Sequence, residues 1–460
     1  MGILLVSTYE MGHQPLGLAA PARALRDRGH EVQCLDLAVE TLSAERLQEA
    51  SLVAISIPMH TAARLGTELA RRVRRVNPQA HIAFYGLYAS LLDRALSVSG
   101  LADSVVGGEY ETGLVTLADQ LARGTFDASR PPRGLGPSPL FEKQRYPVPD
   151  RRGLPPLERY AHLSYNGELR LAGYVEASRG CAHRCTHCPL TPVYGGRLRL
   201  VQRETVLADI DQLVEMGAQH ITFGDPDFLN AVPHSFAIIE ALHRRHPDVT
   251  FDSTTKVEHL MEHEALLSRL RALGCLFVTS AFESTNGDVL AQLQKGHTRA
   301  DLDTVIKLAA REALVLRPTW MAFTPWTTLQ DVVDLLAFVE EHGLVGHVQP
   351  VQYSLRLLLP PGSPLIGQIR EQGLLGAFDD DGLTYTWANP DPRVDALQAE
   401  IAQIVKAPSG SALEPGELPL ATFARVKRAV LRAHSGHDAP VVVRPQPATP
   451  PPGLTEAWFC

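Results

Sequence analysis

Several features are scarce in this chain of 460 residues. It has six cysteines, no run of lysines or arginines, and no stretch of 18 apolar residues. Six cysteines, half of them crowded together, are too few and too clustered for a disulfide scaffold. With a net charge of -8 and no basic run, nothing suggests a nucleic-acid partner. Without a long apolar run, no membrane span is expected. The start, MGILLVSTYEMGH, reads as an apolar strand without a basic leader, so a signal peptide is not expected either. No G-x-G-x-x-G follows that first strand, which disfavours a dinucleotide site. Hydrophobic content of 45% and charged content of 20% are ordinary for a soluble protein, and the length allows two or three domains. These properties together suggest a cytoplasmic enzyme.

Chemistry concentrates between Tyr174 and Leu190, YVEASRGCAHRCTHCPL. A β-prone run ends at Ser178-Arg179-Gly180. Cys181, Cys185 and Cys188 then follow within eight residues, spaced C-x3-C-x2-C. Three thiolates in so short a loop select zinc or iron–sulfur. Structural zinc usually takes four ligands from two separated pairs, and no second C-x2-C exists, although zinc and accidental core cysteines remain open on spacing alone. The pattern ASRGC–HRC–HCP resembles the radical S-adenosylmethionine (SAM) enzymes, in particular their cobalamin-associated branch. The resemblance implies a [4Fe–4S] cluster on the three cysteines whose open iron chelates SAM, and an external one-electron reductant such as flavodoxin or ferredoxin. His187 stands where that family usually has an aromatic residue, and its imidazole is expected to lie against the adenine.

Residues 1–124 alternate strand and helix patterns with short connections, as a doubly wound parallel sheet does. Ligands of such sheets bind beyond the carboxyl ends of the strands. That rule selects His13 in the first loop, Ser56, Met59 and His60 after the third strand, Gly86, Leu87 and Tyr88 after the fourth, and Gly107, Gly108 and Glu109 after the fifth. The layout resembles the cobalamin-binding domain that precedes many radical SAM barrels. The D-x-H-x-x-G often seen there is missing, so cobalamin is expected to sit without a histidine on its lower face, His13 being the alternative ligand.

Residues 125–165 hold eight prolines between Pro131 and Pro156 and read as a semi-rigid linker. From 166 to 360, six strand–helix pairs, the last strand around Val348 to Tyr353, suggest a partial (β/α)6 barrel active at the carboxyl ends of its strands. Under the resemblance, Asp225 or Asp227 anchors the SAM ammonium, Thr254 and Lys256 reach its ribose or carboxylate, and Glu283 adds a polar contact. For Asp225 and Asp227 the bland alternative is a helix cap, and for Glu283 a solvated strand end.

Residues 361–444 read as mostly helical, with a turn-rich Tyr385–Pro392 expected to cap the open barrel. Residues 445–460 form a proline-rich arm ending in Cys460. The arm resembles a radical SAM subgroup whose members end in Cys-Cys or Cys-selenocysteine followed by Ala-Glu-Pro. Cys460 is therefore a candidate catalytic residue, with an accidental tail cysteine as the alternative. The leading reading is methylation or another radical modification of a small molecule. The rivals are transfer of the SAM aminocarboxypropyl group to arsenic or selenium held by Cys460, and a non-catalytic cluster-bearing sensor or cofactor carrier.

Overall fold

Short apolar strands alternating with amphipathic helices build the N-terminal unit of the computed structural model. The structure describes residues 1–456 except 130, 132, 133, 140, 407–417, 439, 448 and 449. Strands β1 (Gly2–Ser7), β2 (Glu31–Asp36), β3 (Leu52–Ser56), β4 (His81–Tyr85) and β5 (Ser104–Val106) form a parallel sheet in the order β2-β1-β3-β4-β5. Alternate strand residues face opposite layers. Leu4 and Val6 pack with Leu69 and Leu92 on one side, while Ile3 and Leu5 pack with Leu18 and Leu117 on the other. One helix, Leu87–Val98, falls where the sequence suggested only a loop. Gly86 compresses the connection to one residue by adopting φ 103°, so Leu87 and Tyr88 stand in the first turn of that helix.

The second sheet is a curled half-barrel. Its elements begin with β6 (His162–Tyr165) and β7 (Glu168–Val175), continued by a small ribbon of β8 (Ser178–Gly180) and β9 (Leu198–Leu200). Strands β10 (His220–Phe223), β11 (Thr250–Thr254), β12 (Cys275–Glu283) and β13 (Val315–Trp320) run parallel to β7. After the hairpin β14 (Leu375–Asp379) and β15 (Thr384–Trp387), the arm supplies β16 (Gly453–Leu454), giving the order β13-β12-β11-β10-β7-β6-β16.

Three expectations change in detail. The sixth strand near Val348–Tyr353 is instead a 3-10 turn, Pro350–Ser354, whose proline has no amide for a ladder; among the described residues the bridge Phe323–Arg356 marks the sixth position. The linker's last residues pair as β6 with β7 across Asn166-Gly167, both at positive φ, as a two-residue hairpin turn requires. Tyr385–Pro392 packs on the loop that follows the fifth barrel strand, where Asn389 Nδ2 donates to Thr327 O at 2.8 Å. Its first residues belong to β15, and the hairpin tip reaches the N-terminal unit, with Gly382 O 2.6 Å from His60 Nε2. Helix Leu418–Ser435 packs on the barrel's outer helix Leu329–Glu341, and helix Pro392–Lys406 packs on Leu418–Ser435 and on the turn Pro350–Ser354. Among the described residues no helix is long and apolar enough to cross a membrane.

Candidate active site

The cysteine loop leaves the carboxyl end of β7 through β8. Gly180 must be glycine there: its φ is 71°, and a Cβ would lie 2.4 Å from Arg197 O. Asp225, at the end of β10, holds β8 in place by accepting from the Ala177 amide at 2.9 Å and the Ser178 hydroxyl at 2.5 Å. Thr186 fixes the other side of the loop, its hydroxyl donating to Gln292 O at 2.8 Å. Cys185 is buried, Cys181 and Cys188 are half-buried, and all three are free thiols. Burial pushes the Cys188 thiol up to about 12, and the neighbouring Cys185 and Cys181 push in the same direction. The buried Lys295 ammonium opposes this. Mutually opposed thiols of this kind are relieved by a shared cationic centre, which deprotonates its thiol ligands. The donor set therefore fits an iron–sulfur cluster.

Behind the loop, Glu283 ends β12 at φ 65°, in the left-handed region that a non-glycine residue rarely adopts. Its Oε1 lies 3.3 Å from Lys295 Nζ and 3.3 Å from His187 Nε2. Burial opposes its ionisation, but Lys295 and His187 outweigh that and hold the carboxyl at about 2. So Glu283 and His187 are brought together at the cluster loop. Lys295, which no motif singled out, completes the set.

Asp227 faces the same rim. Its Oδ1 accepts from the Leu229 amide at 3.1 Å, a helix-cap contact. Its Oδ2 lies 2.9 Å from His259 Nδ1 and 3.3 Å from His183 Nε2. Burial opposes ionisation here too, yet the two imidazoles keep the carboxyl below its usual range. Asp225, with both oxygens engaged by β8, presents neither to the rim. Thr254 is half-buried at the end of β11, and Lys256 pairs with Glu258 at 2.9 Å.

The carboxyl ends of the N-terminal strands turn toward this barrel. His13 stacks on Tyr174 of β7 with ring centroids 4.6 Å apart, and burial drives its imidazole down to about 4, leaving it neutral. Ser56 is buried, Met59 precedes the helix His60–Val76, and the His60 ring lies 6.0 Å from Tyr88. The fifth-strand loop is covered. The Gly107 amide donates to Gly136 O, and a Cβ on Gly107 or Gly108 would strike Pro137 or Pro139. In the same crevice Glu10 Oε2, Ser90 Oγ and both Glu109 carboxylate oxygens are buried without a hydrogen-bond partner. Burial raises Glu10 to about 8, with Asp36 and Glu176 adding to the effect, and it raises Glu109 as well. Unsatisfied polar atoms at the ends of a doubly wound sheet fit a large polar ligand such as cobalamin. Cys460 lies outside the described residues.

Two arginines join the halves. Arg151, in the linker, donates to Asp209 at 2.6 and 2.8 Å, to Gln14 Oε1 at 2.9 Å and to Tyr174 O at 2.7 Å. Arg179, beside the cysteine loop, forks onto Glu111 at 2.8 and 3.1 Å and reaches Glu176 at 2.8 Å. Between the halves, a cavity inside the barrel is lined by Met11, His13, Thr222, Asp252, Thr279 and Arg317. Arg317 donates to Pro452 O at 3.0 Å, and burial lowers its guanidinium to about 10.

Comparison with known proteins agrees with this geometry. Residues 2–118 match the B12 binding domain, and residues 175–338 match the Radical SAM superfamily. A hopanoid C-3 methylase of Methylococcus capsulatus is 27% identical over 296 residues, 61% of this chain and 56% of the methylase. The chain thus matches little more than half the length of that curated relative. Among solved structures, the cobalamin-dependent SAM radical enzyme OxsB, with aqua-cobalamin and SAM bound, has a TM-score of 0.68 at 14% identity, covering 94% of this chain and 72% of OxsB. The radical SAM methyltransferase TsrM from Kitasatospora setae, with tryptophan and a SAM analogue, has a TM-score of 0.66 at 20% identity, covering 96% and 91%. The cofactors that go with the two domains are a [4Fe–4S] cluster, SAM and cobalamin.

Proposed function

From a chain that joins a B12-binding domain to a radical SAM domain, we propose a cobalamin-dependent radical SAM enzyme that methylates a polar small molecule held between the two halves. The observation that carries this reading is the gathering of three free cysteines at the barrel rim, opposite the strand ends of the N-terminal sheet. Cys181, Cys185 and Cys188 would hold the cluster, and the crevice around Ser56, Met59, Gly86 and Glu109 would hold cobalamin. When bound, the cluster supplies an electron to SAM and cobalamin supplies a transferable methyl group. Glu283 and Lys295 keep a fixed pair of opposite charges beside the thiolates and orient His187. Arg151 and Arg179 hold the two halves in register, which keeps water out of the space between them. Arg317 and Thr279 give the cavity donors suited to an anionic or hydroxylated substrate. The electron would come from an external flavodoxin- or ferredoxin-type reductant.

Anaerobically reconstituted protein, given cobalamin, a reductant and SAM, should release S-adenosylhomocysteine and 5′-deoxyadenosine. No cleavage at all would overturn the reading in favour of a sensor or carrier. Methylthioadenosine would instead support aminocarboxypropyl transfer to arsenic or selenium on Cys460. One observation keeps that second reading in view. The arm reaches the cleft, where Glu456 accepts from the Tyr9 hydroxyl at 2.7 Å. Cys460 follows four residues later, a span of at most about 14 Å.

A further inference from the structure

Three polar atoms beside the cysteine loop converge in a way that the cluster chemistry does not use. Asp227 Oδ2, His259 Nδ1 and His183 Nε2 lie within 4.8 Å of one another. Each is buried, and none has a hydrogen-bond partner despite separations of 2.9 and 3.3 Å from the carboxylate oxygen to the two ring nitrogens. The atoms are therefore close enough to pair but do not lie along N–H···O lines. The Asp227 side chain is fully buried, and an unsatisfied carboxylate oxygen at such depth calls for a compensating cation. Lys256, three residues before His259, is already paired with Glu258. The two imidazole rings, 4.6 Å apart and tilted by 55°, come from two separate elements, the cysteine loop and the helix Val257–Glu262.

We propose that His183, Asp227 and His259 form a mononuclear divalent-metal site, occupied by zinc, that pins the cysteine loop to the ends of β10 and β11. Two imidazoles and one carboxylate are a borderline donor set suited to zinc, with positions left for water. His183 sits midway between Cys181 and Cys185, so a metal there would fix the loop's backbone before the cluster assembles. The assignment also uses the Asp227 oxygen that the sequence offered to the SAM ammonium. It stands independently of methyl transfer and of any activity.

The test is metal counting on the full-length chain. Reconstituted enzyme equilibrated with Zn2+ and desalted should carry about one zinc besides its cluster iron, as a site of three protein ligands completed by water should. His259→Gln and, separately, His183→Gln should keep the iron and lose the zinc. Each loss should exceed the roughly 10–100-fold weakening typical of removing an outer-shell partner. With Cys181, Cys185 and Cys188 all changed to alanine, the zinc should remain, and Co2+ put in its place should show no thiolate charge-transfer band. Circular dichroism matching the parent would establish that each variant is folded. Zinc absent from the folded parent, zinc unchanged in both histidine variants, or zinc lost with the three cysteines would each overturn the site. None of these outcomes depends on SAM cleavage, so failure here and failure of the methylation reading are separable.

Discussion

The barrel rim and the N-terminal crevice face each other, yet they handle buried charge in opposite ways. At the rim Glu283 is engaged by Lys295 and His187 and Asp225 by Ala177 and Ser178, and even Asp227 Oδ2, which makes no hydrogen bond, has two imidazoles within 3.3 Å. In the crevice, Glu10 Oε2 and both Glu109 oxygens have no hydrogen-bond partner, and residues 136–139 fill the space over Gly107 and Gly108. Buried polar groups without partners are costly and rarely persist without a ligand or water. The rim is thus preorganised for its cluster, while the crevice holds its polar groups ready and its own chain over the entrance. A ligand that reaches Gly107 and Gly108 has to displace that segment.

The largest effect should come from cutting the joint between the regions. Arg151 is 1% exposed and spends its guanidinium on partners from both sides. Arg151→Ala leaves Asp209 buried and unpaired, which typically costs about 3–5 kcal/mol. Denaturant unfolding should show the two halves separating into distinct transitions, whereas one unchanged cooperative transition would refute the joint. The rim comes next. Glu283 has a folded-state pKa of about 2 against an ordinary 4.5, equivalent to about 3 kcal/mol at 1.36 per unit. Because the folded value is depressed, this stability is complete above pH 4.5 and disappears as pH falls toward 2. Glu283→Gln should flatten that acid limb and, by leaving Lys295 buried without its carboxylate, lower stability at neutral pH. An acid limb identical to the parent's would show that the pair does not stabilise the rim.

Much of this was legible in the sequence because local patterns carried it. The C-x3-C-x2-C spacing marked the cluster loop, and alternating strand and helix periodicity gave both sheets. What stayed hidden depends on partners far away in the chain. Arg151 looked like one more residue of a proline-rich linker, since Gln14, Tyr174 and Asp209 meet it only after folding. Lys295 lacks any motif, and His259 sits in an unremarkable helical stretch. The Leu87–Val98 helix was masked because Gly86 reads as the start of a loop, although a single glycine at positive φ suffices to turn the chain. The hairpin before the cluster strand did carry a local cue, Asn166-Gly167.

The smallest effect sharpens the contrast from the crevice side, and it has the opposite sign. Glu10 is half-buried with its Oε2 enclosed, its folded pKa raised to about 8 by desolvation first and by Asp36 and Glu176 next. Its unfolded carboxyl ionises near 4.5, so the folded state binds one more proton between pH 4.5 and 8. Stability therefore falls as pH rises through that window, and the full penalty stands above pH 8. Glu10→Gln keeps an acceptor for the Gly17 amide, 3.2 Å from Oε1, and removes the ionisation. The variant should be more stable than the parent at pH 9, by about 1 kcal/mol after relaxation and water penetration, and little different at pH 5. Saturating cobalamin should shrink the difference if the ligand brings a donor to Glu10 Oε2. A variant less stable than the parent at pH 9 would mean that Glu10 is already satisfied, and the contrast between rim and crevice would fail at that residue.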